Sequence, residues 1–126
     1  MFLNGGGMRG GPLHHALQGA PLVAVTRTAP RYRFHSVGDR YPALEPVADG
    51  GGSVEGEVYD VPLEVLRDHL LPIEPPELEL GVIELADGSA SLGMVLRRPW
   101  AEHTELTDIT DAGSWRAYRQ RAESPR

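Results

Sequence analysis

The stretch Val54-Glu55-Gly56-Glu57-Val58-Tyr59-Asp60-Val61 decides the fold class. Its apolar residues alternate with acidic or small ones, the period of a half-buried strand, and Pro62 ends it. Working outward, Pro21 to Thr28 (PLVAVTRT) is a β-rich run, and Tyr32-Arg33-Phe34-His35 alternates as a strand does. Leu80 to Leu85 and Ser91 to Leu96 read as a hairpin around Asp87-Gly88. Pro42 and Pro46 are expected in a loop, with the Asp49–Gly52 cluster. Leu63, Leu66 and Leu70 have the spacing of one face of a short helix from Glu64 to Leu71, closed by Pro72, Pro75 and Pro76. Ser114 to Arg121 reads as a final helix carrying Trp115 and Tyr118. Five or six strands with few helices predict an α+β fold built on a small mixed or antiparallel β-barrel with short flanking helices. Residues 1–121 are expected to form one domain and 122–126 a loose tail.

A chain of 126 residues buries one core. No run approaches the roughly 20 apolar residues of a membrane span, and the N-terminus lacks the basic-then-apolar pattern of a signal peptide. A cytoplasmic location without membrane association is therefore expected. There is no cysteine, hence no disulfide framework, thiolate metal site or cysteine nucleophile. A net charge of −6 argues against a nucleic-acid partner. All twelve basic residues are arginine, so lysine Schiff-base chemistry is excluded, while two-pronged carboxylate binding is well provided for.

Three groups carry candidate chemistry. Phe2-Leu3 leads through Asn4 into Gly5-Gly6-Gly7-Met8-Arg9-Gly10-Gly11, too rich in glycine for regular structure, and Pro12 suits the first position of a short helix through Leu17. Backbone N–H groups of such a loop, at a helix start, receive a carboxylate or phosphate. It is neither a phosphate-binding Walker loop nor a dinucleotide fingerprint. His14-His15 follows; neighbouring helical residues point about 100° apart, so one ring can face the pocket. His35, His69 and His103 complete no metal set with them, and neither a metal nor a cofactor is expected. The third group is Glu74, Glu77 and Glu79 in IEPPELELG, where a carboxyl held in a cleft with a raised pKa would move a proton. Spacing leaves open which of the three points inward. No nucleophile elbow is present.

Taken in order, these residues resemble a known family. Met8-Arg9-Gly10-Gly11-Pro12-Leu13-His14-His15-Ala16-Leu17 resembles the loop-helix segment of gamma-glutamylcyclotransferase-like proteins, and more closely that of the allophanate hydrolase C-terminal domain. The similarity continues through Thr28-Ala29-Pro30-Arg31-Tyr32-Arg33, Glu55-Gly56-Glu57-Val58-Tyr59 and Val82-Ile83-Glu84-Leu85-Ala86-Asp87-Gly88-Ser89. It ends with Asp108-Ile109-Thr110 and Gly113-Ser114-Trp115-Arg116-Ala117-Tyr118. The resemblance implies a cyclotransferase-like barrel with its pocket at the glycine loop. The cyclotransferase Tyr-Gly-Ser falls by order on Asn4-Gly5-Gly6, losing the aromatic residue, and the family's glutamate falls at or next to Glu74. Allophanate hydrolase domains usually carry Ile-Pro-x-Pro-Leu there, whereas this chain has Ile73-Glu74-Pro75-Pro76-Glu77.

The resemblance implies Glu74 and His14 as proton-transfer residues. Asn4, Gly5, Gly6, Gly7, Met8, Arg9, Gly10, Gly11, Tyr32 and Arg33 are then the substrate-binding set. Three functions follow as expectations. One is decarboxylation of an N-carboxycarbamate-like compound by a stand-alone domain, the amidase half having no counterpart here. The others are a cyclotransferase-type lyase and a non-catalytic subunit of a separate amidase. The expected partners are a small anionic substrate, that amidase and, as an alternative, a second copy forming a homodimer.

Overall fold

The computed structural model describes residues 1–98 and 105–123. Eight strands make two sheets: β1 (Phe2–Leu3), β2 (Leu22–Arg27), β3 (Tyr32–Val37), β4 (Tyr41–Pro46), β5 (Glu55–Tyr59), β6 (Leu78–Glu84), β7 (Ala90–Leu96) and β8 (Leu106–Asp108). The five-stranded sheet has the order β2-β5-β1-β7-β6, and the three-stranded sheet β4-β3-β8. β1 pairs antiparallel with β5 (Leu3 opposite Glu57) and parallel with β7 (Phe2 opposite Gly93), so the larger sheet is mixed. No closed barrel is found among the described residues. The ends of the larger sheet meet at one bridge, Thr28 with Leu85, where the Ala29 N–H donates to the Glu84 carbonyl. The architecture is a small α+β domain of two sheets and a few short helices.

Several expectations are corrected. Pro42 and Pro46 lie within β4, not in a loop; proline is tolerated there because β4 is the edge of its sheet. The segment after Pro62 is a single α-turn, α1 (Leu63–Val65), which widens to a π-turn (Leu66–Leu70) and tightens to a 3₁₀ turn (Leu71–Ile73). Leu66 and Leu70 are buried, while Leu63 is 71% exposed and off their face. The last helix, α2 (Trp115–Glu123), runs two residues into the expected tail; 124–126, like His103, lie outside the described residues. No helix of the described residues is long and apolar enough to cross a membrane.

Two core clusters position the site. Phe2, Phe34, Leu44, Val54, Ile83 and Ile109 pack between the sheets, with Trp115 and Tyr118 of α2 against them. Leu3, Met8, Leu17, Tyr59, Leu66 and Leu70 form the second cluster, which binds the glycine loop and the turns after α1 to the larger sheet.

Candidate functional site

β1 delivers the chain into the glycine loop, and the loop then folds back on itself. The Met8 N–H donates to the Gly5 carbonyl (3.1 Å), Gly11 to Met8 (2.9 Å), Leu13 to Gly6 (2.9 Å) and His14 to Gly11 (3.3 Å). The Arg9 N–H donates to a Glu57 carboxylate oxygen at 2.8 Å. These bonds leave the amides of Gly5, Gly6 and Gly7 without a partner among the described residues, and consecutive unpaired N–H groups are able to receive an anion. The expected helix contributes little to it. The segment is one 3₁₀ turn, His14–Leu17, too short for a helix dipole to matter.

Gly5, Gly6 and Gly7 line one wall of a cavity of about 300 Å³, with Asn4 and Leu13. Arg40, Tyr41 and Pro42 form a second wall, and Leu70, Ile73, Glu74 and Pro75 a third. Glu74 follows the Leu71–Ile73 turn with an extended backbone, which directs the chain away from the helical segment. Its carboxyl makes no hydrogen bond or ion pair among the described residues, and burial pushes its pKa up to about 7. That is a group able to hold and release a proton near neutrality.

The two neighbouring acids are placed otherwise. Glu77 stands beside Arg40 (3.9 Å), and Glu79 pairs with Arg97 on the surface (3.5 Å). Burial, then the nearby Glu77, pushes the Tyr41 phenol up to about 12, so that hydroxyl stays protonated.

The remaining candidates scatter. Tyr32 is a core residue whose hydroxyl accepts the Glu84 N–H at 2.9 Å, and Arg33 pairs with Asp108 at 2.9 Å; neither lines the cavity. His14 also stays outside it. Its Nδ1–H donates to the Gly7 carbonyl (3.0 Å) and its ring meets Tyr59 edge-on, so it braces the loop from behind. Met8 is buried in the core. Arg9, Gly10 and Gly11 face an adjoining cleft of about 520 Å³ that shares Gly5, Gly6 and Arg40 with the first and is bordered by Trp115, Arg116 and Arg119. A third opening of about 410 Å³ lies between Met8, Val25 and Arg116. Both are larger than the Glu74 cavity, and their acids are partnered, Glu55 with Arg27, Asp39 with Ser36 and Tyr118, and Glu123 with Arg119. No group of three or more potential metal ligands occurs among the described residues.

Arg40 and Tyr41 carry no signal in the sequence, because Pro42 and Pro46 beside them predict a loop, and Glu57 falls among the acidic positions of an alternating strand. Glu57 is 1% exposed.

Gly11 shows how tightly the loop is wound: a Cβ there would lie 2.2 Å from the Gly6 carbonyl oxygen. Gly11→Ala is therefore expected to force the loop open. We expect a destabilisation of about 1–3 kcal/mol by chemical denaturation, as for overpacking elsewhere, with weaker carboxylate binding by calorimetric titration.

Comparison with known proteins identifies the family of the fold. Residues 1–120 match the allophanate hydrolase C-terminal domain. The uropathogenic E. coli-specific protein c4763 is similar in structure (TM-score 0.85), with 38% identity over 94% of this chain and 92% of that one. The K. lactis urea amidolyase is similar at TM-score 0.87 and 25% identity over 98% of this chain but 8% of its own. For the S177A form of K. lactis allophanate hydrolase the values are 0.87 and 25%, over 97% and 21%. This chain thus spans a small part of two multidomain relatives and nearly all of a third. An uncharacterised Pyrococcus horikoshii protein, at 20% identity and TM-score 0.73, shares the fold. No curated protein matches. With the family matched over residues 1–120 and a 38% identical relative aligned over 94% of this chain and 92% of its own, this chain belongs to the allophanate hydrolase C-terminal domain family.

Proposed function

We propose that the chain decarboxylates a small N-carboxycarbamate-like anion, with Glu74 as proton donor, as a step of urea-linked nitrogen metabolism. The N–H groups of Gly5–Gly7 hold one carboxylate. The bond between nitrogen and the second carboxylate breaks, its electron pair goes to nitrogen, nitrogen takes the Glu74 proton, and carbon dioxide leaves. Solvent then reprotonates Glu74. The observation that carries this reading is the meeting, in one cavity, of unpartnered loop amides and a carboxyl whose pKa is about 7. Protonation of the leaving nitrogen is the chief requirement of such a reaction, and one positioned acid supplies it. Family membership supports the choice of substrate class, since relatives carry a similar domain in allophanate hydrolase and urea amidolyase.

The test pairs the purified chain with a separate amidase and allophanate, and follows bicarbonate release with and without the chain. Faster release is expected. No change in rate and no complex with the amidase would remove both the catalytic reading and the subunit reading. The same Glu74 could serve a cyclotransferase as a base, and pH separates the two roles. A proton donor must be protonated, so the donor reading predicts that turnover falls as pH rises through about 7. A base predicts the reverse. The pH profile of kcat/KM therefore decides between them.

A further inference from the structure

We infer that Glu57 is the positioning residue of the glycine loop, holding both ends of the segment that carries the anion-binding amides. The inference rests on the proposed anion role of that loop. At one end, the Glu57 backbone stands opposite Leu3 in the β1–β5 ladder. At the other, its carboxylate accepts the Arg9 N–H at 2.8 Å and the Arg9 Nε–H at 3.2 Å. Residues 4–8 are thereby a closed excursion on a single residue. Arg116 of α2 completes the tie, donating to the Arg9 carbonyl at 2.7 Å and approaching Glu57 at 3.5 Å.

Only an ionised carboxylate satisfies this position. Among the described residues, every hydrogen-bond partner of its side chain is a donor: the two Arg9 N–H groups, the Tyr59 hydroxyl at 2.8 Å and Arg116. Burial alone would raise the Glu57 pKa, but these donors outweigh it and hold the carboxyl below its ordinary range. A glutamine would turn an NH₂ toward one of the donors and leave it unpaired. The same contacts engage the backbone N–H and the Nε–H of Arg9, a residue the family resemblance implies at the substrate. Arg9 acts through Glu57 as a brace.

The experiment uses amide hydrogen exchange and acetate titration on the full chain. Glu57→Gln is expected to speed exchange at Met8 and Leu13, whose N–H groups close the loop onto Gly5 and Gly6, at least tenfold more than in the β3–β4 ladder. Acetate affinity should fall about tenfold, and with substrate the loss should appear in KM more than in kcat, since Glu74 is untouched. Arg116→Ala, a half-exposed site safe for folding, should change the same amides in the same direction, with about threefold weaker acetate binding. Uniform acceleration over all amides, or none at Met8 and Leu13 in both variants, would overturn the assignment. Selective acceleration supports it even if wild-type chain fails to bind acetate; that result would sink the anion role of the loop instead.

Discussion

Glu74→Gln is expected to slow carbon dioxide release by about 10²- to 10⁴-fold, the usual contribution of a positioned acid or base, with the fold intact. Glutamine keeps the volume and polarity of the side chain, and the Glu74 carboxyl makes no ion pair or hydrogen bond among the described residues, so no partner is orphaned. Stability gives an independent check of the same group. Its pKa of about 7 in the folded chain lies above the ordinary 4.5. Between those values the folded state keeps a proton that the unfolded state has released, so this residue's contribution to stability declines as pH rises through that window. In Glu74→Gln that contribution to the slope disappears. Denaturation midpoints of the two proteins at pH 4.5 and pH 8 measure it: the variant should gain relative stability at the higher pH. A wild-type slope retained in the variant would mean that Glu74 titrates as an exposed acid. Retained turnover with the slope abolished would leave a buried acid with no part in the reaction.

How much of this was legible in the sequence depends on whether local pattern or tertiary context decides each residue. The β6–β7 hairpin was readable because its turn is local: Gly88 sits at φ +88° and the Asp87 carboxylate accepts the Ser89 N–H. Glu74 was readable as a candidate, but the choice between it, Glu77 and Glu79 needed the Leu71–Ile73 turn that aims the chain. β4 was hidden because proline is a strand breaker except at an edge, and edge position is a property of the sheet order, not of the strand. Glu57 was hidden for a related reason. Alternation assigns it to solvent, and only the glycine loop, folding over that face from 48 residues away in sequence, buries it. Tyr32 and Arg33 were named through family resemblance, and the register of β3 sends one into the core and the other to the surface ion pair with Asp108.

The largest effect on stability is expected at the least conspicuous element. β1 has only two residues, too few for any periodicity, yet it is the middle strand of the five-stranded sheet, standing between the β2–β5 and β7–β6 pairs, whose outer ends also touch at the Thr28–Leu85 bridge. Phe2 is 2% exposed and packs in the cluster that joins the two sheets. Its ring also lies over Gly56, where a Cβ would come within 2.4 Å of Cζ, so β5 is shaped around it. Phe2→Ala should therefore cost about 3–5 kcal/mol, transfer and cavity contributions together. That is a large share of the roughly 5–15 kcal/mol that holds a domain folded. Because β1 runs directly into Asn4 and Gly5, the loss should reach the cavity before it unfolds the chain. Carboxylate binding should weaken under conditions where circular dichroism still reports the native sheets. Denaturant titration measures the first effect and calorimetric titration the second. A variant that lost less than about 1 kcal/mol, the range of mild surface changes, would show that β1 is dispensable and that β5 and β7 hold the sheet together without it.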